Sequence, residues 1–404
     1  MQKILNLSLR LLAMGAKFLL VIFIGKYLSS EALGEYGLFF STITISIFFL
    51  GMDFYVFNTR ELIAATQKDI RAILIRDQFV FYIFTYTIFF PLLLIVFLLN
   101  VIEFKYIVLF YIVLVVEHIS QELYRLFITL SRQTLATFLL FIRSGLWIYI
   151  LILFWICGFE NLKDLTHIYI FWFISAFLSI TIGVICLIKD YKFDSFKGVI
   201  NFGWIKHGVK TSMPFFIGTI AYKIVEFSNR YIIDFFMSKS DVGVFTFFAN
   251  IANALQTIVY TLVIMMYYPK IIAAYQSESE TATLIKKFTQ ETILYSLICS
   301  VAIAILIYPI LNFLGKDEFF ENLPILWILL SSILFLNLSF VPHYQLFALK
   351  KDILIRNITI VIAVLNIILM FIFVYFWGLY GGASAMLISY FLMYFVKVKK
   401  VTNG

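Results

Sequence analysis

Lys223, Glu226, Arg230 and Asp234 follow one another at intervals of three, four and four residues. At helical pitch these intervals put all four on one face with alternating sign. Such a stripe can do two things. It can neutralise itself so that its helix enters lipid, or it can face a hydrated path. There it would offer cations to an anionic group and carboxylates to protons. Five more ionisable residues fall inside apolar runs: Lys17, Asp53, Glu117, Glu122 and Arg143. Each charge costs roughly 2.5–3.5 kcal/mol at the centre of a membrane helix on insertion scales. Facing lipid together, they would cost on the order of 20 kcal/mol or more. They must line a wet cavity, pair with one another, or reach an interface. Asp53, Glu122 and Arg143 lie near the inner ends of their spans, where snorkelling is open to them. Lys17 sits mid-span. Glu117 and Glu122 share their span with His118, Gln121 and Arg125, and Glu122 and Arg125 are three apart.

The elements that carry these residues follow from composition. Of 404 residues, 63% are hydrophobic and 13% charged, and the mean hydropathy is +0.99. Ordinary soluble domains are nearer half apolar and a quarter charged, so the chain reads as an all-α polytopic membrane protein. Cys157, Cys186 and Cys299 each lie in an apolar run with no paired spacing, which points to neither a disulfide framework nor a zinc site. The four histidines form no HExxH-type cluster and there is no GxxxxGK[ST] loop. No cofactor, metal or catalytic residue is expected. The net charge of +8 could suggest a nucleic-acid binder, but the placement of the charges argues otherwise.

A spanning helix needs about 20 mostly apolar residues. On that scale twelve spans are predicted, over 7–28, 36–57, 78–99, 104–124, 138–157, 166–188, 213–236, 242–267, 292–311, 322–347, 354–376 and 379–396. The first is read as a spanning helix and not a cleaved signal. With the N-terminus inside, the inner segments hold 22 of the 31 Lys and Arg, the outer loops 5 and the spans 4. This asymmetry predicts both termini in the cytoplasm. The excess positive charge is therefore a topology signal, and no nucleic-acid partner is expected.

The longest inner link joins the two halves. It carries Phe193, Phe196, Val199, Ile200, Trp204 and Ile205 among lysines, which predicts an amphipathic helix on the inner leaflet. The expected division is an N-terminal six-helix lobe over 1–188, this linker over 189–212, and a C-terminal six-helix lobe over 213–404. An internal repeat supports two halves. Ser29–Ser30–Glu31–Ala32–Leu33–Gly34–Glu35–Tyr36 matches Ser238–Lys239–Ser240–Asp241–Val242–Gly243–Val244–Phe245 at an offset of 209. Parallel repeats of this kind predict lobes related by a pseudo-two-fold axis along the membrane normal.

Several passages resemble the multidrug/oligosaccharidyl-lipid/polysaccharide (MOP) exporter superfamily, and within it the Wzx-type repeat-unit flippases. They are Ile24–Gly25–Lys26–Tyr27 running through Ser29–Ser30 to Gly34–Glu35–Tyr36–Gly37, then Leu50–Gly51 and Thr59–Arg60–Glu61–Leu62. Met213–Pro214, Asn229–Arg230–Tyr231–Ile232–Ile233, Pro269–Lys270–Ile271 and Gly378–Leu379–Tyr380–Gly381–Gly382–Ala383 complete the likeness, which covers essentially the whole chain. Many members of the family have Asp where this chain has Asn229.

The resemblance implies a MATE-like fold and a flippase. Its substrate would be an undecaprenyl-diphosphate-linked oligosaccharide, an O-antigen or similar repeat unit. The chain would move it from the inner to the outer leaflet of the bacterial plasma membrane by alternating access coupled to an ion gradient. Implied partners are membrane lipids and the glycan polymerase and chain-length regulator of the pathway. On this reading Lys17, Arg143, Lys223 and Arg230 receive the diphosphate. Asp53, Glu117, Glu226 and Asp234 are the ion-coupling candidates. A small-molecule or drug antiporter of the same superfamily is the alternative. A membrane glycan polymerase is a further one, against which the short outer loops argue.

Overall fold

Hydrocarbon offers no water to backbone N–H and C=O groups, so a chain this apolar must satisfy them within helices. The computed structural model describes residues 2–191, 193–277 and 281–402. Among them there is no strand. The helices are α1 (Gln2–Tyr27), α2 (Ser30–Gly51), α3 (Phe54–Ala64), α4 (Lys68–Leu93), α5 (Ile95–Leu98), α6 (Ile107–Thr129), α7 (Gln133–Phe141) and α8 (Trp147–Ile156). There follow α9 (Leu165–Asp190), α10 (Phe202–Phe236), α11 (Lys239–Val259), α12 (Met265–Gln276), α13 (Ala282–Leu314), α14 (Asp317–Glu321), α15 (Pro324–Ala348) and α16 (Asp352–Thr402). Five-residue π turns, Ile142–Leu146 and Tyr260–Ile264, join α7 to α8 and α11 to α12.

Among the described residues ten stretches are long and apolar enough to cross a membrane. Two facts reconcile this with twelve predicted spans. First, α16 is two helices. Gly378 has φ 54° and ψ −133°, and a Cβ on Gly381 would lie 1.9 Å from the Phe373 carbonyl oxygen. Residues eight apart in a straight helix are separated by about 12 Å, so the chain turns back here. Second, α10, which carries Lys206, Lys210, Lys223, Glu226, Arg230 and Asp234, is not among the ten but is a continuous 35-residue helix over the predicted span 213–236. The fold is that of an all-α polytopic membrane protein.

The chain divides into two compact units. One comprises Met1–Phe23 and Leu38–Phe216, and the other Ile24–Gly37 and Ile217–Gly404. They are called unit 1 and unit 2 below. The residues of α1, α2 and α10 are shared between the two.

In unit 1 two expectations are corrected. The predicted span 36–57 stops at Gly51. Met52 and Asp53 both take left-handed φ, 45° and 49°, and α3 starts afresh at Phe54. A left-handed conformation ends the run of helical hydrogen bonds, and Asp tolerates it better than most side chains. The segment 189–212 is not one amphipathic helix. It forms a 3-10 turn at Phe193–Phe196, and α-helix begins only at Phe202, continuing unbroken through Phe236. Arg76 explains the break. Its guanidinium donates to the carbonyls of Phe196 (3.2 Å), Gly198 (3.0 Å) and Val199 (2.9 Å). Asp77 accepts from the Asn201 N–H at 3.2 Å. Carbonyls captured by an arginine are not available to a helix. Trp204 then packs on Phe54 and Phe57, and Ile205 joins the same cluster, so both face protein.

In unit 2 the two matched passages meet. Ser29 accepts from the Ala32 N–H and caps α2. Ser238 caps α11 in a capping box with Asp241. The helices cross at the two matched glycines. A Cβ on Gly34 would lie 1.8 Å from Lys239 O, and one on Gly243 would lie 1.9 Å from Ser30 O. Residues 30 and 239, like 34 and 243, stand at the same offset of 209. The crossing is therefore locally two-fold, and only glycine permits its backbone approach. Ser30 Oγ and Ser240 Oγ lie 2.7 Å apart, and Glu318 Oε2 is within reach of both, at 3.0 and 3.3 Å, so one hydroxyl donates to the other and the second donates to the carboxylate. Beside them Lys316 donates to the Leu28 carbonyl. Burial holds its amine below the usual lysine range, opposed by Glu318 and reinforced by Lys26.

Substituting either glycine by alanine should force the helices apart and destabilise the protein by about 1–3 kcal/mol. The measurement is thermal unfolding of each purified variant. Gly218→Ala is the control, since its nearest neighbour is 3.7 Å away and alanine is the better helix former. Its unfolding temperature should not fall.

Candidate functional site

The site residues of unit 2 lie on α10. Lys223 Nζ and Glu226 Oε2 are 2.7 Å apart, and both side chains are partly exposed. Arg230 is one turn further and only 2% exposed. Its Nε donates to Thr246 Oγ1 of α11 at 3.2 Å, and its Nη1 to Asn229 Oδ1 at 3.3 Å. Among the described residues no carboxylate oxygen lies within 4.0 Å of its guanidinium. Phe227 lies between the two cations, with Lys223 Nζ and Arg230 Cζ each 5.4 Å from its ring centre. Asp234 is directed elsewhere, 3.9 Å from Lys239 Nζ. The alternating stripe is therefore not a continuous ladder. It divides into a Lys223–Glu226 pair, an arginine on neutral oxygens, and an Asp234–Lys239 pair. Spacing placed the four residues on one face, but the neighbouring helix α11 decided which of them pair.

Unit 1 gathers three other expected residues. Arg143 lies in the π turn, 6% exposed, with Nε 3.4 Å from Glu117 Oε1 of α6. Its Nε and Nη1 are buried without a hydrogen-bond acceptor. The other Glu117 oxygen accepts from Trp172 Nε1 at 3.0 Å. Trp172 stacks on Trp147 at 6.3 Å and stands 6.1 Å from Phe40, over whose ring Lys17 Nζ lies at 6.0 Å. Lys17 is exposed. A π turn adds one residue per turn and re-aims the side chains on it, and such turns recur at functional positions.

Asp53 is not part of that group. It sits at the α2–α3 break, 4% exposed, where its charge acts on Tyr55 and Arg125. It thereby borders a network that the site prediction omitted. Glu122 of α6 accepts from Tyr82 Oη at 2.5 Å and Gln78 Nε2 at 3.1 Å, and Arg125 Nη1 donates to its other oxygen at 2.5 Å. Arg125 lies flat over Tyr55, 3.7 Å from the ring centre. Gln78 also bonds Asn58 and Tyr82. Tyr55, Asn58, Thr59, Gln78, Glu122 and Arg125 border a pocket with room for about one water molecule. Next to it His118 is fully buried, with Nδ1 2.7 Å from Tyr86 Oη and no partner for Nε2. Asp53, Glu122 and Arg143 are at most 6% exposed, so none of them snorkels. The 122–125 interval was the only signal of this network in the sequence. Its partners come from α3 and α4, 40 or more residues away.

Among the described residues no cluster of His, Cys, Asp and Glu could hold a metal ion.

Comparison with known proteins places this geometry in a fold. The chain is similar to the inward-facing conformation of a multidrug resistance MATE family transporter of the MOP superfamily. The TM-score is 0.76 at 15% identity, covering 99% of this chain and 98% of that one. It is also similar to the lipid II flippase MurJ in an inward closed conformation, with TM-score 0.72 at 15% identity, covering 99% and 87%. An outward-facing MATE family transporter gives a TM-score of 0.62 at 13% identity, covering 100% and 96%. At these identities the likeness is one of fold. No curated protein sequence matches the chain. Residues 2–274, about two thirds of the chain, match the family described as polysaccharide biosynthesis protein (Polysacc_synt). The chain belongs to the polysaccharide biosynthesis protein family, on the fold of the MOP superfamily of transporters and flippases.

Proposed function

We propose that this protein flips a lipid-linked oligosaccharide from the cytoplasmic to the outer leaflet of the bacterial plasma membrane. The lipid is undecaprenyl diphosphate and the glycan an O-antigen or similar repeat unit. The chain is a transport protein, not an enzyme, and works by alternating access with both termini in the cytoplasm. The observation that carries the reading is Arg230, a buried guanidinium hydrogen-bonded to neutral oxygens, with no carboxylate oxygen within 4.0 Å among the described residues. An arginine so placed is ready for an anion. Its planar donor fork matches a phosphate bidentately, and charge-assisted bonds of this kind are about twice as strong as neutral ones. Lys223 adds a second cation on the same helix. Arg143 and Lys17 supply positive charge in unit 1, where Arg143 retains unsatisfied donors. Membership of a polysaccharide biosynthesis family favours a glycan-bearing substrate over a drug.

Coupling is assigned to Glu226 first. A proton on Glu226 releases Lys223 from its 2.7 Å pair and leaves the ammonium for phosphate. Glu117 stands in the same relation to Arg143. Asp234, beside Lys239, and Asp53, at the α2–α3 break, are the remaining proton-accepting carboxylates of the proposal.

Arg230→Ala should sharply reduce surface glycan in cells lacking their own flippase, at normal protein level. Loss of one charge-assisted phosphate contact, about 1.5–3 kcal/mol, corresponds to roughly 10–100-fold in transport. Arg230→Lys keeps the charge without the fork and should restore part of it. Full glycan display by Arg230→Ala removes this residue from the mechanism.

Glu226→Gln addresses coupling. In vesicles supplied with lipid-linked oligosaccharide, wild-type transport should rise with an imposed proton gradient, and the variant should be indifferent to it. A variant that still follows the gradient assigns the coupling proton elsewhere.

A further inference from the structure

Lys397 carries a charge that none of the roles above uses. Its position near the end of α16 suggests a solvated inner-loop lysine, like Lys399 and Lys400, which are exposed. Lys397 is instead 3% exposed. Its Nζ lies 3.5 Å from Nδ1 of His343 on α15, the helix packed along α16. Among the described residues no carboxylate oxygen lies within 4.0 Å of it.

An ammonium taken out of water without a counter-charge costs several kcal/mol even after the protein relaxes. A histidine cannot repay that as an acid would. It can offer only a neutral nitrogen to share the proton. If both bases were protonated, two positive charges would stand 3.5 Å apart. Their repulsion, already about 1 kcal/mol in bulk water, would be several-fold larger at a buried site. The pair therefore alternates between no proton and one.

Among the described residues neither member of the pair has an ion-pair partner, and the contacts of His343 are aromatic. Tyr344 on α15 packs its ring against His343 at 5.1 Å. Tyr344 also meets Tyr260 of the π turn, at 3.4 Å between hydroxyls, and the Tyr268 ring of α12. On α16 the preceding turns bring Tyr394 and Tyr390, and Glu226 acts on the latter. Glu291 of α13 is engaged by Tyr267 at 2.7 Å. Phe340 and Tyr344 contact His343 directly, and Lys399 and Lys400 follow Lys397 on α16.

We propose that Lys397 and His343 form a proton-binding site of unit 2, one proton shared between an amine and an imidazole where α15 packs on α16. Loading it places a net positive charge in a buried position and favours any conformation that brings the pair to water. The site is thus a second place at which a proton can bias the conformation, independent of the carboxylates on α10. Its use in transport rests on the export reading, but its existence does not.

The test needs no glycan. Purified protein in liposomes is adsorbed on a capacitive electrode and the buffer is switched from neutral to mildly acidic. Wild type should give a transient current from proton binding. Lys397→Met, which keeps an unbranched stem without the base, should lower the displaced charge measurably, because the pair titrates as one unit. His343→Gln should reduce it likewise, and Lys399→Met should match wild type. A wild-type current that survives Lys397→Met unchanged, or the absence of any wild-type current, overturns the site. Should Lys397→Met not yield folded protein, His343→Gln decides, and an unchanged current there overturns it equally. Loss of glycan export with these currents intact would instead count against the proposed function alone.

Discussion

A charge surrounded by hydrocarbon has no water to fall back on, and most of this structure follows from where its charges find substitutes. The nine ionisable residues predicted within spans are dispersed into small local groups. Lys223 takes Glu226, Asp234 takes Lys239, and Arg125 takes Glu122. Glu117 is held between Arg143 and an indole N–H. Each group draws on a neighbouring turn or helix, so helix positions and charge satisfaction are set together. Buried pairs of this kind add little net stability, since desolvation offsets attraction. Breaking one partner away is costly, which makes them effective at fixing which helix packs on which.

Against that background the exceptions carry the functional interest. Arg230 rests on a threonine and an asparagine. Arg143 has donors without acceptors inside a π turn. Lys397 has an imidazole where an acid would be expected. In each case the protein tolerates a buried cation only partly compensated, a state that a bound anion or a moving proton would relieve. Arg143 stands on a helix irregularity, the π turn Ile142–Leu146. Regular helix leaves less room for such placements, because every side-chain direction is set by the 3.6-residue period.

Backbone geometry supplies the second constraint. At Gly34 and Gly243 the helix starts approach so closely that neither can carry a side chain, and the matched serines cap both helices. The Ser-x-x-x-[Leu/Val]-Gly repeat is thus readable physically. Serine satisfies orphan N–H groups at a helix start, and glycine one turn later admits the other backbone. The same local logic made the Gly378 hairpin legible. It failed at Met52–Asp53, where two left-handed residues interrupt what hydropathy reads as one span.

The sequence by itself determined the all-helical membrane class, the internal repeat and the helix faces on which charges lie. These are properties of one helix at a time, or of a chain compared with itself. Only the tertiary structure decided the partners. Glu122 and Arg125 were visible three residues apart, yet Tyr82, Gln78 and Tyr55 reach them from α3 and α4. Arg76 unmade a predicted linker helix by capturing its carbonyls. Lys397 reads as a loop charge until α15 covers it. The physical reason is common to all three. Periodicity specifies the direction in which a side chain leaves its helix, whereas burial and pairing depend on which other helix stands there.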